Sequence, residues 1–296
     1  MRWRPGGRSA DLEDRRGEDD GGGGGPRFPG GIRIGLGGIV VLLVLSVITG
    51  QNFLSILDPG MTGGGGYDDA QQQAPRPSSP EDEEQVQFVS FVLDDAQSTW
   101  NRVLPAAGRP YRNAKLVLFT NGVRSGCGFG ETAMGPFYCP VDEKVYIDLA
   151  FYQELKRRFG APGDFAQAYV IAHELGHHVQ KVLGISDRVR QFQESNPSQA
   201  NAISVRMELQ ADCLAGVWGH STNERNILEQ GDAEEALNAA SAIGDDRIQK
   251  SATGTVNPET WTHGSSAQRV AWFKRGLSSG RIDDCDTFSD RLPSER

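Results

Sequence analysis

The sequence predicts an α+β fold in which helices dominate and a small sheet contributes few strands. Two observations lead to this fold class. Residues 85–102 and 164–183 carry apolar side chains at the three- and four-residue spacing of an amphipathic helix. Only two short segments, residues 114–120 and 144–148, show the apolar run or the alternation that is typical of strands.

In the first half of the chain, each predicted element rests on its own pattern. The helix over residues 85–102 has apolar side chains at positions 88, 89, 92, 93, 96 and 100. Residues 114–120 (AKLVLFT) form a buried strand, whereas residues 144–148 (KVYID) alternate. A further helix is predicted over residues 149–159.

The second half is predicted to be helical. Asp164 caps the first helix and Gly184 ends it. Ser265 and Gln268 form a capping box for the last helix, which runs through Leu277. The other predicted helices cover residues 198–220, 232–243 and 245–251.

Composition excludes several classes of protein. The chain has 296 residues and a net charge of −9, and it forms no basic face, which argues against nucleic acid as a partner. Its four cysteines include no CxxC pair, so neither a zinc ribbon nor a thioredoxin-like redox motif is present. The chain is long enough for one or two domains with a sizeable core.

The N-terminal third is predicted to carry a membrane anchor. Residues 1–31 are too polar to bury a core and are expected to form a disordered cytoplasmic tail. Residues 32–57 are apolar and long enough to cross a bilayer as one helix. A buried core helix and a cleaved signal peptide fit this segment less well, because it is apolar all round and no clean cleavage site follows it.

The remaining boundaries and the orientation follow from composition and charge. A Gly-, Pro- and acid-rich linker over residues 58–84 leads to a folded domain over residues 85–288 and a short tail over residues 289–296. Basic residues precede the apolar segment, so the N-terminus is expected in the cytoplasm. The domain is then expected outside it, in the periplasm or at the cell surface, as part of a single-pass membrane protein.

An HExxH motif lies inside the predicted helix over residues 164–183. Side chains four positions apart lie one above the other on a helix, so His173 and His177 can bind the same ion. Glu174 projects beside that ion and can accept a proton from a metal-bound water. The motif therefore predicts a Zn²⁺ site with Glu174 as catalytic acid and base.

The third ligand is expected from a later helix. A metzincin would need Gly and His where this chain has Gln180 and Leu183, so that class is excluded. Glu208 can complete a site of two histidines and one glutamate. Asp212 lies one turn later and can accept the second N–H of a ligand histidine.

Other polar residues are weaker candidates. His178 points about 100° away from His177 on the helix and is expected to pack rather than to bind the metal. His263 lies in a loop before the last helix and is the predicted oxyanion stabiliser, with Arg269 as the alternative. Tyr146 and Tyr169 are candidates by proximity alone.

These motifs resemble the neutral zinc metallopeptidase family of bacteria. The resemblance is carried by residues 126–155, 163–180, 208–220, 234–250 and 262–277. It implies a zincin-like fold, zinc ligation by His173, His177 and Glu208, and Glu174 as the catalytic residue. It does not identify the natural substrate.

The predicted reaction is hydrolysis of peptide bonds in a peptide or protein, with the strand at residues 144–148 as the edge that holds the substrate backbone. Two alternatives stay open: a catalytically silent, zinc-stabilised binding or scaffold domain, and a zinc hydrolase of non-peptide bonds.

Four cysteines permit three disulfide pairings. Proximity in the chain favours Cys127 with Cys139, which leaves Cys213 with Cys285. The second bond would fasten the C-terminal region to the helix that carries Glu208. Both bonds require an oxidising compartment.

Overall fold

The computed structural model describes residues 1–18, 79–131, 135–157 and 160–289. These residues are mainly helical with a small sheet, as the α+β prediction requires. The strands are β1 (Leu12–Asp14), β2 (Lys115–Phe119), β3 (Gly122–Ser125), β4 (Gly128–Glu131), β5 (Phe137–Cys139) and β6 (Lys144–Asp148). The helices are α1 (Pro80–Ala106), α2 (Ala150–Arg157), α3 (Asp164–Val182), α4 (Ile185–Ser195), α5 (Ala200–Glu224), α6 (Asp232–Ala242), α7 (Asp245–Thr253) and α8 (Ser266–Ser279).

The main sheet has four strands in the order β1-β2-β6-β5. Strand β2 is parallel to both β1 and β6, and β5 is antiparallel to β6. Strands β3 and β4 form a separate hairpin. The prediction that residues 144–148 form a free edge is therefore wrong, because β6 is hydrogen-bonded on both sides. The edge on that side of the sheet is β5.

Helices α3, α5 and α8 cross closely enough to bring their polar residues together. A Cβ atom at Gly176 of α3 would lie 3.0 Å from the carbonyl oxygen of Ala211 on α5. On α8, a Cβ atom at Gly276 would overlap the carbonyl oxygen of Cys213. Glycine permits these approaches because it has no side chain. The HExxH helix, the helix of Glu208 and the helix of Arg269 therefore pack directly against one another.

The N-terminal residues differ from their prediction. Residues 1–18 are not a disordered tail: they lie against the domain and supply β1 to its sheet. Their polar composition does not prevent this, because an edge strand depends on backbone pairing and polar contacts more than on an apolar core. The rest of the predicted tail, residues 19–31, lies outside the described residues.

The start of the main domain also shifts. Ser79 caps α1 in a capping box with Asp82, so residues 79–84 belong to the domain rather than to a linker. The predicted transmembrane segment 32–57, residues 58–78 of the linker and residues 290–296 of the tail lie outside the described residues. Among the residues that the structure does describe, no helix is long and apolar enough to span a bilayer.

Most predicted helices agree with the structure to within a few residues. The capping box of Ser265 and Gln268 begins α8, and Gly184 follows the end of α3 in a left-handed conformation. Gly163, rather than Asp164, occupies the N-cap of α3. Helix α4 was not predicted because it buries only Val189 and so shows little apolar periodicity.

Both predicted disulfides are confirmed. Cys127 is bonded to Cys139, across the Gly-rich segment that contains β4 and β5. Cys213 of α5 is bonded to Cys285 in the short helix Ile282–Cys285, which fastens the C-terminal region to the helix of Glu208.

Candidate metal centre

Helix α3 presents the HExxH residues at its crossing with α5. Its apolar side chains are buried in the main core, where they fix the rotation of the helix about its axis. His173 and Glu174 are themselves buried, and His177 is partly exposed. Because the close contact at Gly176 lies between the two histidines, the facing turn of α5 comes directly opposite them.

The structure brings the three predicted ligands together. The Nε2 atom of His173 lies 3.1 Å from one carboxylate oxygen of Glu208, and the Nε2 atom of His177 lies 3.4 Å from the other. The three ligand atoms all lie within 4.8 Å of one another. Among the described residues, no fourth His, Cys, Asp or Glu joins this group.

Each histidine is held through its other ring nitrogen. Asp212 lies 2.9 Å from Nδ1 of His173, and the side-chain oxygen of Gln180 lies 2.8 Å from Nδ1 of His177. Both partners accept a hydrogen bond, so the proton of each neutral ring resides on Nδ1. The Nε2 lone pairs of both rings then face Glu208.

These groups fit a zinc ion. Two imidazole nitrogens and one carboxylate oxygen are a common ligand set for catalytic zinc, which keeps its fourth position for water or substrate. The donor set is therefore suited to a catalytic ion.

Gln180 was not predicted to take part in the site. In the sequence it serves only to exclude the metzincin class, although it lies three residues after His177 on the same helix face. Its side-chain nitrogen donates to the carbonyl oxygen of Met207 and to Gln210, at 2.8 and 3.1 Å. These bonds fix the amide so that its oxygen points at His177. Gln210 in turn donates to the carbonyl oxygen of Cys285.

Arg269 supports Asp212 instead of lining the catalytic side of the metal. Its guanidinium is buried and donates to both carboxylate oxygens of Asp212, at 2.8 and 2.9 Å. The hydroxyl of Tyr169 donates to the same carboxylate. The alternative role of Arg269 as an oxyanion stabiliser is therefore wrong, because its donors are used behind His173. Tyr146, the other tyrosine that was a candidate by proximity, donates its hydroxyl hydrogen bond to Asp142.

His263 is placed by a carboxylate that sequence reasoning missed. One oxygen of Asp245 accepts from the backbone N–H groups of Thr262, His263 and Gly264, and the other lies 3.2 Å from the His263 ring. About half of the His263 side chain is exposed to solvent. Asp245 lies in the first turn of α7, and nothing in the sequence pairs it with a loop 18 residues later.

His178 is a packing residue, as predicted. It is fully buried, and its two ring nitrogens contact the hydroxyl of Tyr138 at 3.0 Å and the carbonyl oxygen of Arg112 at 2.7 Å. Because Tyr138 belongs to β5, His178 holds the edge strand of the sheet against the HExxH helix.

The protein groups impose opposite protonation preferences on the two glutamates. Burial raises the pKa of Glu174, and the nearby histidines only partly offset this. Before a metal binds, burial also opposes ionisation of Glu208, but protonated His177 and His173 outweigh it and hold the pKa of Glu208 well below its usual range. Glu208 is therefore the ionised ligand, and Glu174 is the more basic carboxylate.

A second acidic cluster is already accounted for. Asp164, Asp232 and Glu235 lie close enough to share an ion. The amino group of Met1 lies 2.7 Å from Asp164 and 3.3 Å from Asp232, and Glu235 accepts from the backbone N–H of Phe165. These contacts satisfy the acids without a metal.

We expect Gln180→Leu to weaken zinc binding by roughly 10- to 100-fold, because His177 loses the acceptor that fixes its ring. A competition titration of the purified protein against a zinc chelator measures the dissociation constant. Gln191→Leu, an exposed change on α4, is the matched control. An unchanged dissociation constant in Gln180→Leu would show that this bond does not support the site.

Comparison with protein families and with known proteins identifies relatives of the chain. The chain matches the model of the family described as "Putative neutral zinc metallopeptidase" over residues 1–288. It is 48% identical to "Uncharacterized protein YpfJ" of Escherichia coli K12 over 296 residues, which cover 99% of this chain and 100% of the relative. It is 45% identical to "Uncharacterized protein Rv2575" of Mycobacterium tuberculosis H37Rv over 207 residues, which cover 66% of this chain and 68% of the relative. No solved structure matches the chain. The family resemblance predicted from the sequence is confirmed, and the chain belongs to the neutral zinc metallopeptidase family.

Proposed function

We propose that this protein is a zinc-dependent peptidase that hydrolyses peptide bonds, with Glu174 as general base and general acid. The observation that carries the proposal is the convergence of His173, His177 and Glu208 on one point beside Glu174. When bound there, zinc supplies an activated water and polarises the scissile carbonyl. The protein groups then position the substrate and move its protons.

The surroundings of Glu174 support a role in proton transfer. It follows His173 directly on α3, and its carboxylate is buried beside both histidines. Since burial raises its pKa, the carboxylate takes a proton from the attacking water more readily than an exposed one. It can then deliver that proton to the leaving amine.

His263 is the proposed oxyanion stabiliser. Burial alone would lower its pKa, but the carboxylates of Asp245 and Glu208 raise it above the ordinary value. The ring is therefore cationic over a wider pH range. Because Glu208 contributes to this raised pKa, the ring lies within electrostatic range of the metal ligands. A cation at that position stabilises the negative charge of a tetrahedral intermediate.

Strand β5 is the proposed binding edge for the substrate backbone. It is the edge next to β6, and the bond between Tyr138 and His178 holds it beside the HExxH helix. An extended peptide can add to such an edge by main-chain hydrogen bonds. This role replaces the one first assigned to residues 144–148.

We further propose that the peptidase works in an oxidising compartment outside the cytoplasm. The two disulfides support this location, because such bonds persist mainly in exported domains. The apolar residues 32–57 are proposed to attach the protein to a membrane without separating residues 1–18 from the domain.

The proposal is tested with a mixed peptide library, cleaved by the wild-type protein and by Glu174→Gln at equal zinc content. Cleavage by the wild type alone supports it. Zinc binding without cleavage by either protein would favour a scaffold. If the wild type cleaves no peptide but does cleave ester or non-peptide amide substrates in a separate assay, a hydrolase of non-peptide bonds is favoured.

We expect Asp245→Asn to shift the alkaline limb of the kcat/KM profile to lower pH. The raised pKa of His263 keeps the ring protonated until the pH passes that value, and removing the Asp245 charge lowers it. Asparagine retains an oxygen for the loop N–H groups. The exposed change Asp187→Asn is the control. If the profile does not move, or if His263→Ala keeps full activity, the imidazole has no such role.

A further inference from the structure

Residues 1–18 make the contacts of an integral part of the peptidase domain. Strand β1 pairs in parallel with β2, with Leu12 opposite Leu116 and Asp14 opposite Leu118. Flanking backbone bonds extend the pairing: Leu116 donates to the carbonyl oxygen of Asp11 at 2.9 Å, and Arg15 donates to that of Leu118 at 2.8 Å. The segment therefore covers the free edge of β2.

Polar side chains fix the register of this strand. Lys144 of β6 contacts both carboxylate oxygens of Glu13 at 2.8 Å, and Lys115 of β2 contacts Asp11 at 2.7 Å. The amide of Gln97 on α1 also donates to Asp11 at 2.9 Å. Three elements that are distant in the chain thus contribute one partner each to residues 11–13.

The residues before β1 are also held by the domain. The ring of Trp3 packs against that of Phe88 on α1, with their centroids 5.3 Å apart. Ser9 is buried and donates to Asp94 at 2.5 Å, and Arg8 contacts Glu83 at 2.6 Å. Contacts therefore extend along the whole segment, and the family match also begins at residue 1.

We infer that residues 1–18 form one folded unit with the described residues of 79–131, 135–157 and 160–289, and that all of these lie on the same side of any membrane that the protein contacts. A single crossing by residues 32–57 would place these two parts on opposite sides and would prevent every contact described above. The orientation with a cytoplasmic N-terminus and an exported domain is therefore incompatible with this fold. The inference does not depend on the proposed activity.

Zero-length cross-linking of the purified full-length chain tests the folded unit. A carbodiimide should join Lys144 to Glu13 and Lys115 to Asp11 within one molecule, and mass spectrometry of the digest should identify both bonds. Glu13→Gln should remove the first bond and leave the second. If neither bond forms within a monomer, the docking of residues 1–18 is disproved.

Cysteine labelling in cells that produce the full-length chain tests the topology. Arg4→Cys and Ser251→Cys place one exposed thiol in each part, while the native cysteines are paired. A membrane-impermeant maleimide should label both variants or neither in intact spheroplasts, and both after detergent lysis. Labelling of only one variant before lysis would place the two parts on opposite sides and overturn the inference.

Discussion

Replacing Glu174 with Gln is expected to reduce kcat/KM for peptide hydrolysis by about 10²- to 10⁴-fold, the usual contribution of a general base. Glutamine has nearly the same shape, but it cannot take a proton from the attacking water. Because Glu174 is not one of the three ligand residues, the zinc content should remain that of the wild type. Steady-state kinetics on one cleaved peptide and metal analysis of the same preparations measure both quantities.

The control for this substitution is Glu194→Gln, which makes the same chemical change on the exposed face of α4. It should leave both rate and zinc content unchanged. If Glu174→Gln keeps full activity, Glu174 is not the base. If it loses zinc together with activity, the residue supports the metal site instead of the proton transfer.

Arg269→Met is expected to lower the free energy of unfolding by about 3–5 kcal/mol, because it leaves the buried charge of Asp212 without its main partner. Neither member of this ion pair has appreciable contact with solvent. Chemical denaturation of the metal-free protein with its disulfides intact, followed by circular dichroism, measures the change. Zinc affinity should also fall, because Asp212 orients His173.

Two further variants test whether the unpaired charge of Asp212 causes the loss of stability. Lys274→Met, on the exposed face of the same helix, should change stability by no more than about 0.5 kcal/mol. The double variant Arg269→Met with Asp212→Asn should recover part of the loss, since the unpaired charge is removed. If the double variant is no more stable than Arg269→Met, the buried charge is not the cause.

The part of the site that helix α3 supplies was predictable from the sequence, because it depends on one helix alone. The spacing of His173 and His177 places both rings on one face of α3 whatever the rest of the fold. Glu208 and Asp212 were also predictable, since they lie one turn apart on a helix that is mostly buried. Asp245 was missed because its partner is chosen by a tertiary contact that no spacing rule specifies. Gln180 was missed although it lies three residues after His177, where helix spacing does bring two side chains together.

The order of strands was not predictable from the same patterns. Strand β5 covers only Phe137–Cys139, and three residues carry too little alternation to reveal a strand or its pairing. Strand β6 was recognised but was assigned to the wrong position in the sheet. For β1, the polar composition that predicted disorder supplies Asp11 and Glu13, the two acids that pair with lysines of the sheet.

X-ray absorption spectroscopy at the zinc edge on the full-length protein, with metal content determined on the same sample, tests directly whether His173, His177 and Glu208 bind zinc. We expect about one zinc per chain, with two imidazole nitrogens at about 2.0–2.1 Å, oxygen for the remaining ligands and no sulfur. Glu208→Ala should lose most of this metal. A protein without stoichiometric metal, a sulfur-bound ion, or full zinc occupancy in Glu208→Ala would contradict this assignment.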